Sequence, residues 1–109
     1  MVNRVSSLRK KSDFLELKLN GKLVRLSPWL MISYLNNNLG QTRLGITIPK
    51  KVGNAVIRNR VRRRLKTFFQ IHTIDKAMDI NLIVRPKSET FYKELSYNDV
   101  EKVLSKFFK

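Results

Sequence analysis

Residues 50 to 66 read KKVGNAVIRNRVRRRLK, eight cationic side chains in seventeen positions with no carboxylate among them. From residue 58 to residue 66 Arg outnumbers Lys five to one, and a guanidinium fork grips two oxygens of one phosphate at once. The chemistry on offer is anion binding. Acid–base and metal chemistry find no support. His72 is the only histidine, and the eight acids, Asp13, Glu16, Asp75, Asp79, Glu89, Glu94, Asp99 and Glu101, show no paired-carboxylate, triad or metal-ligand spacing. No catalytic residue and no metal site of the protein's own is expected, and His72, just after a helical pattern, reads as structural or solvated.

The placement of charge sharpens this. No acid falls between Leu17 and Ile74, whereas twelve bases do. Solubility is served by interspersed signs, so a purely cationic middle within a net charge of +15 is a statement about partners. The partner expected is a polyanion.

The elements that must carry these residues follow from periodicity. After the loop PKKVGN, Ile57, Val61, Leu65, Phe68 and Phe69 fall at i, i+4, i+8, i+11 and i+12, an arc of about 120° on a helix. The rest of that helix is polar: Arg58, Asn59, Arg60, Arg62, Arg63, Arg64, Lys66 and Thr67. Like charges four apart, as in Arg58/Arg62, Arg60/Arg64 and Arg62/Lys66, each cost a few tenths of a kcal/mol. A solvated face would mix both signs, and basic amphipathic helices of the membrane-surface or calmodulin-target kind are usually peripheral, whereas this stripe is needed for a core. Phosphate binding fits best. Lys50, Lys51 and the backbone N–H groups near Gly53 and Asn54 precede the helix, at the positive end of its dipole.

Around that helix the chain reads as mixed α and β without repeats or linkers. Its 109 residues and 42% hydrophobic content suit one domain with a modest core, the first eleven residues being a candidate flexible arm. A short helix is expected from Ser12, as cap, to about Asn20, with Gly21 as a left-handed stop. KLVRL (22 to 26), WLMISYL (29 to 35) and RLGITIP (43 to 49) read as strands of one antiparallel meander, and INLIVRP (80 to 86) as another strand. Ser96 to Phe108 closes the chain as a helix with Val100, Val103, Leu104, Phe107 and Phe108 on one side and a capping box from Ser96 to Asp99. Cysteine is absent, no apolar run approaches the 18 or so residues of a membrane span, and MVNRVSSLRKK lacks a secretory h-region. A cytoplasmic protein without membrane attachment is expected.

Lys50, Lys51, Gly53, Asn54, Ala55, Val56, Arg58, Asn59, Arg60, Arg62 and Arg63 together resemble the signature of the bacterial ribonuclease P protein component. LRKKSDF (8 to 14), RLGITIPKK (43 to 51) and DINLIVRP (79 to 86) are similar to further stretches of that family, in the right order. The resemblance implies an α+β fold, a two-layer sandwich like the second domain of ribosomal protein S5. Its small mixed sheet would carry helices on one side and a left-handed β-α-β crossover. It implies the small protein partner of a catalytic RNA, the ribonuclease P RNA. That RNA removes 5′ leaders from precursor tRNA with Mg²⁺, one protein is expected per RNA, and the protein alone would bind no cofactor.

Carried over by position, Lys50, Lys51, Asn54, Arg58, Asn59, Arg60, Arg62, Arg63 and Lys66 are the expected RNA-facing set. Arg64 follows from charge alone. A cleft for the unpaired leader would use Phe14 and Lys18 from the first helix and Leu30, Ile32 and Tyr34 from the strand. Lys18 stands where many members carry an aromatic and Ile32 where some carry Tyr, so a Lys–phosphate contact would replace part of the stacking. A ribosomal or other basic RNA-scaffold protein, or a stand-alone nuclease or DNA-binding module, are the other readings. The signature spacing disfavours the former and the lack of catalytic groups the latter.

Overall fold

The computed structural model describes residues 5–72, 74 and 76–108. In chain order the elements are β1 (Ser6–Ser7), α1 (Lys11–Asn20), β2 (Lys22–Ser27), β3 (Leu30–Asn36), β4 (Arg43–Thr47), a 3₁₀ turn (Lys50–Val52), α2 (Ala55–Ile71), β5 (Met78–Val84), α3 (Glu89–Glu94) and α4 (Tyr97–Phe107). Of the candidate flexible arm, residues 1 to 4 lie outside the described residues. Ser6 and Ser7 pair in parallel with Arg43 and Leu44, and Leu8 is buried.

The five strands form one mixed sheet in the order β1-β4-β5-β3-β2. The expected meander of β2, β3 and β4 is only half realised. β2 and β3 are antiparallel neighbours, but β5 lies between β3 and β4, antiparallel to the first and parallel to the second. The reason is in the sequences. MDINLIV buries five of its seven residues, a near-continuous apolar run that requires cover on both sides. α2 carries the chain back across the sheet so that this strand takes the centre.

Strand register then sorts side chains onto two faces. Leu30, Ile32 and Tyr34 on β3 align with Val84, Leu82 and Ile80 on β5, and Leu44 and Ile46 on β4 align with Ile80 and Leu82. This face carries the core. Against it pack the α2 stripe of Ile57, Val61, Leu65, Phe68 and Phe69, Tyr92 of α3, and Val100 and Leu104 of α4. Tyr34 meets Phe107 of α4 edge-on, with ring centroids 5.0 Å apart. α2 is capped by Asn54, whose side chain accepts from the Ile57 N–H at 3.0 Å, and α4 by the expected Ser96–Asp99 box.

α1 departs from three expectations. Three helices share the core side of the sheet, but α1 crosses the other face, where the Ser33 hydroxyl donates to the Leu17 carbonyl at 3.3 Å. Its first residue is Lys11, its N-cap is Lys10 and not Ser12, and Gly21 is extended rather than left-handed (φ −80°, ψ 165°). Gly21 is required for closeness instead. A Cβ there would stand 2.5 Å from the Leu17 carbonyl oxygen and 2.9 Å from that of Tyr34.

Because Val61 is fully buried and Arg63 of the same helix is exposed, their substitutions should separate cleanly. Val61→Asp places an unpaired charge in the core and should cost on the order of 4 kcal/mol or more, abolishing the cooperative thermal transition followed by circular dichroism. Arg63→Ala should leave that transition within about 2 to 4 °C of wild type, as a surface change within about 0.5 kcal/mol.

Candidate nucleic-acid interface

The polar arc of α2 is not uniform. Asn59, Arg63 and Lys66 are exposed, and with Val56 and Arg62 they line a shallow depression on the outer surface of the helix. Arg62 is oriented there by a bond from its Nη1 to the Asn59 side-chain oxygen at 3.2 Å. Lys50 and Lys51 are exposed in the 3₁₀ turn just before the helix. On one flank, Arg60 and Arg64 turn toward the α3–α4 junction, where Arg60 Nη1 donates to the Lys93 carbonyl at 3.3 Å and Arg64 Nη1 donates to the Leu95 carbonyl. These two guanidinium groups serve as struts between helices. On the opposite flank Arg58 is half-buried, and its Nε is the one buried side-chain nitrogen among the described residues without a partner.

The expected backbone anion site is partly spent. The Gly53 N–H closes the 3₁₀ turn on the Lys50 carbonyl at 3.2 Å, and the Asn54 side chain is committed to the cap. The side-chain cations are uncompensated. Among the described residues the ion pairs are Arg43–Asp13, Arg43–Asp79 and His72–Glu101, none of which involves a cation of α2 or of the turn before it. His72 is structural as expected. It ends α2, stacks on Phe68 at 4.3 Å and pairs with Glu101 of α4 at 3.2 Å.

On the other face of the sheet, a groove of about 490 Å³ runs between α1 and the strands. Phe14, Leu17 and Lys18 form its helical wall, and Leu23, Ser33, Thr47, Asn81 and Ile83 its floor. Phe14 and Lys18 stand where the sequence placed a cleft. Leu30, Ile32 and Tyr34 do not line it. Leu30 and Ile32 are 0% exposed beneath the core helices, and Tyr34 faces α4. β3 alternates as expected but in the opposite phase, and a shift of one residue sends every side chain to the opposite face. Ser33 is the residue that β3 contributes. Thr47, Asn81, Ile83 and Leu23 were missed. An Asn inside the apolar run of β5 and a Leu left 59% exposed on β2 are the signals that mark them.

α1 is held over this groove by a charge cluster in which Asp79 is buried and Arg43 and Asp13 are half-buried. Arg43 grips Asp79 through Nε at 2.8 Å and Nη2 at 2.6 Å and reaches Asp13 of α1 through Nη1 at 3.3 Å, while Asn37 donates to Asp79 at 2.7 Å. Burial pushes the Asp79 carboxyl up, but the hydrogen bonds from Arg43 and Asn37 and the guanidinium charge outweigh it, and the group titrates below the ordinary aspartate range.

The chain matches the family model described as Ribonuclease P over residues 2–109. The chain belongs to the ribonuclease P protein family. Its relatives include the ribonuclease P protein components of Desulforapulum autotrophicum, 34% identical over 97% of this chain and 88% of that one, and of Clostridioides difficile, 34% identical over 98% and 92%. In structure it is similar to the RNase P protein of Thermotoga maritima, with a TM-score of 0.84 at 29% identity, covering 94% of this chain and 96% of that one. The Staphylococcus aureus RNase P protein follows at a TM-score of 0.79, 28% identity and 92% and 89% coverage. The α+β reading and the family both stand, and the chain is a protein subunit of ribonuclease P, an endoribonuclease that contains an RNA. Among the described residues no helix is long and apolar enough to cross a membrane, and no three His, Asp or Glu side chains lie close enough to hold a metal ion.

Because Asp79 titrates lower in the folded chain than in the unfolded one, its contribution to stability is complete above the unfolded pKa and is lost as pH falls through the folded value. Urea unfolding from pH 7 down to pH 2 should show that acid limb in the wild type. Arg43→Met should be less stable at pH 7 and show a flatter limb. Identical limbs would mean that Arg43 is not what lowers Asp79.

Proposed function

We propose that the chain, as one RNA-binding domain, docks on the ribonuclease P RNA through the outer surface of α2 and the turn before it, and holds the unpaired 5′ leader of precursor tRNA in the α1 groove. Lys50, Lys51, Arg58, Arg62, Arg63 and Lys66 neutralise RNA phosphates, with Asn54 and Asn59 as polar neighbours. Arg60 approaches the RNA only as far as its bond to α3 allows. The observation that carries this reading is the uncompensated cationic arc fixed to the core through its apolar stripe. In the groove, Phe14 supplies a ring for stacking and Lys18 a charge for the leader backbone.

Catalysis on this reading belongs to the RNA, and the protein raises affinity for precursor over mature tRNA. Among the described residues the strongly shifted titratable group is Tyr92, which burial pushes up to about 12, and it lies in the core with its hydroxyl donating to the Arg85 carbonyl. That is no general acid or base for a substrate in the groove or on the arc. The Mg²⁺ of the reaction is assigned to the RNA on this reading, since among the described residues no three carboxylate or histidine side chains gather as a metal site would need. One protein per RNA, in the cytoplasm, completes the proposal.

Reconstitution tests it. At low Mg²⁺ the protein should restore 5′ cleavage of precursor tRNA by a bacterial ribonuclease P RNA and show none alone, and absence of stimulation would refute the subunit role proposed for these surfaces. Six phosphate contacts should give a slope of log K against log salt of about −4 to −5, and Arg63→Ala should make it shallower by about 1 without altering the melt.

A further inference from the structure

Much of the groove wall is carbon, and its polar side chains are Lys18, Ser33, Thr47 and Asn81. Asn81 occupies the middle of its floor, in register with Ser33 on β3 and Gly45 on β4. Ser33 is turned into the α1 contact, donating to the Leu17 carbonyl. The Thr47 hydroxyl donates to Asn81 Oδ1 at 3.1 Å, which fixes the amide with its oxygen toward β4. Both Nδ2 hydrogens and one lone pair of Oδ1 remain. Among the described residues no partner stands against Nδ2, nor is it a buried orphan, so it opens onto the groove.

The Phe14 ring lies beside it. A methyl at Gly45 would stand 2.5 Å from the ring and 3.4 Å from Asn81 Oδ1, so the missing side chain is what lets ring and amide share one spot. Fold stability does not call for Asn here. The core positions of this strand are Ile80, Leu82 and Val84, and Asn is disfavoured in strands where a β-branched residue would serve. A ring that stacks and an oriented amide beside it are what is needed to hold an unpaired base and read its edge.

We infer that Asn81 is a specificity-determining residue, which reads the edge of one base of the single strand in the groove and makes leader recognition base-selective at one position. The inference rests on the leader reading above. Thr47 acts as a positioning residue that sets the amide's orientation.

The test uses the ribonucleoprotein reconstituted with a bacterial ribonuclease P RNA and precursors carrying each of the four bases at each leader position in turn, with a leaderless tRNA as reference. Wild type should discriminate among bases at one position by about fivefold or more. Asn81→Leu should flatten that position while keeping the preference for leader-bearing over leaderless RNA, and Thr47→Val should weaken the discrimination without abolishing it. Asn81→Asp, an acceptor only, should turn the preference toward guanine, whose N1–H and N2–H₂ present two adjacent donors. Thermal melts certify that each variant folds. An unchanged base profile in Asn81→Leu, or a flat profile in a wild type that still prefers leader-bearing precursor, overturns the inference alone. A wild type indifferent to the leader overturns the leader reading itself.

Discussion

The structure depends on a helix that is held by one side and charged on the other. The three like-charge pairs along α2 together cost about 1 kcal/mol. Burial of Ile57, Val61, Leu65, Phe68 and Phe69 beneath the helix contributes roughly 1.5 to 3 kcal/mol per side chain as an upper range. Anchoring therefore outweighs repulsion several-fold, and the chain tolerates a cation row that pairs with no carboxylate among the described residues. Arg60 and Arg64 reduce the repulsion further by turning aside to the carbonyls of Lys93 and Leu95. That division leaves Arg62, Arg63 and Lys66 as the free outward charge and ties α2 to the α3–α4 junction.

The second constraint is the alternation of the sheet. Each strand must serve a core on one face and a groove on the other, so β3 alternates Ile32 with Ser33, β4 alternates Leu44 with Gly45, and β5 alternates Ile80 and Leu82 with Asn81. The groove keeps its width because α1 is fixed at two places. Close packing at Gly21 sets one end, where a single methyl would collide with two backbone oxygens. The Arg43 cluster sets the other, tying Asp13 of the helix to Asp79 of the central strand.

Much of this was legible in the chain. The stripe of α2 was readable to the residue, because five apolar positions at helical spacing admit one phase only, and so was the Ser96–Asp99 cap of α4. The phase of β3 was not. WLMISYL is apolar on both faces, and only pairing with β5 decides that Ile32 goes inward while Ser33 lines the groove. The central place of β5 was hidden for the same reason, since strand order is a long-range choice that local pattern does not encode. α3 leaves no periodic pattern to read, because ETFYKE is a helix of six residues held by the Ser88 cap and by Tyr92 in the core. The two roles of the arginines were equally invisible, because a carbonyl acceptor 31 residues away leaves no mark on charge spacing.

The arc and the groove lie on opposite layers of the sandwich, and this bears on how one nucleic acid could use both. α2 sits on the core side of the sheet and α1 on the other, so no flat RNA surface can touch the two at once. They approach each other at the end of β4. Thr47 is the last residue of that strand and borders the groove, and Lys50 opens the cationic turn three residues later. Three residues of extended chain span about 10 Å. On the proposed reading the RNA must therefore fold around the edge of the sheet at this point, with the leader on one side and the larger RNA on the other. Lys50 and Lys51 then stand where two strands of phosphate converge, which is where uncompensated charge lowers the most repulsion between the RNA's own segments.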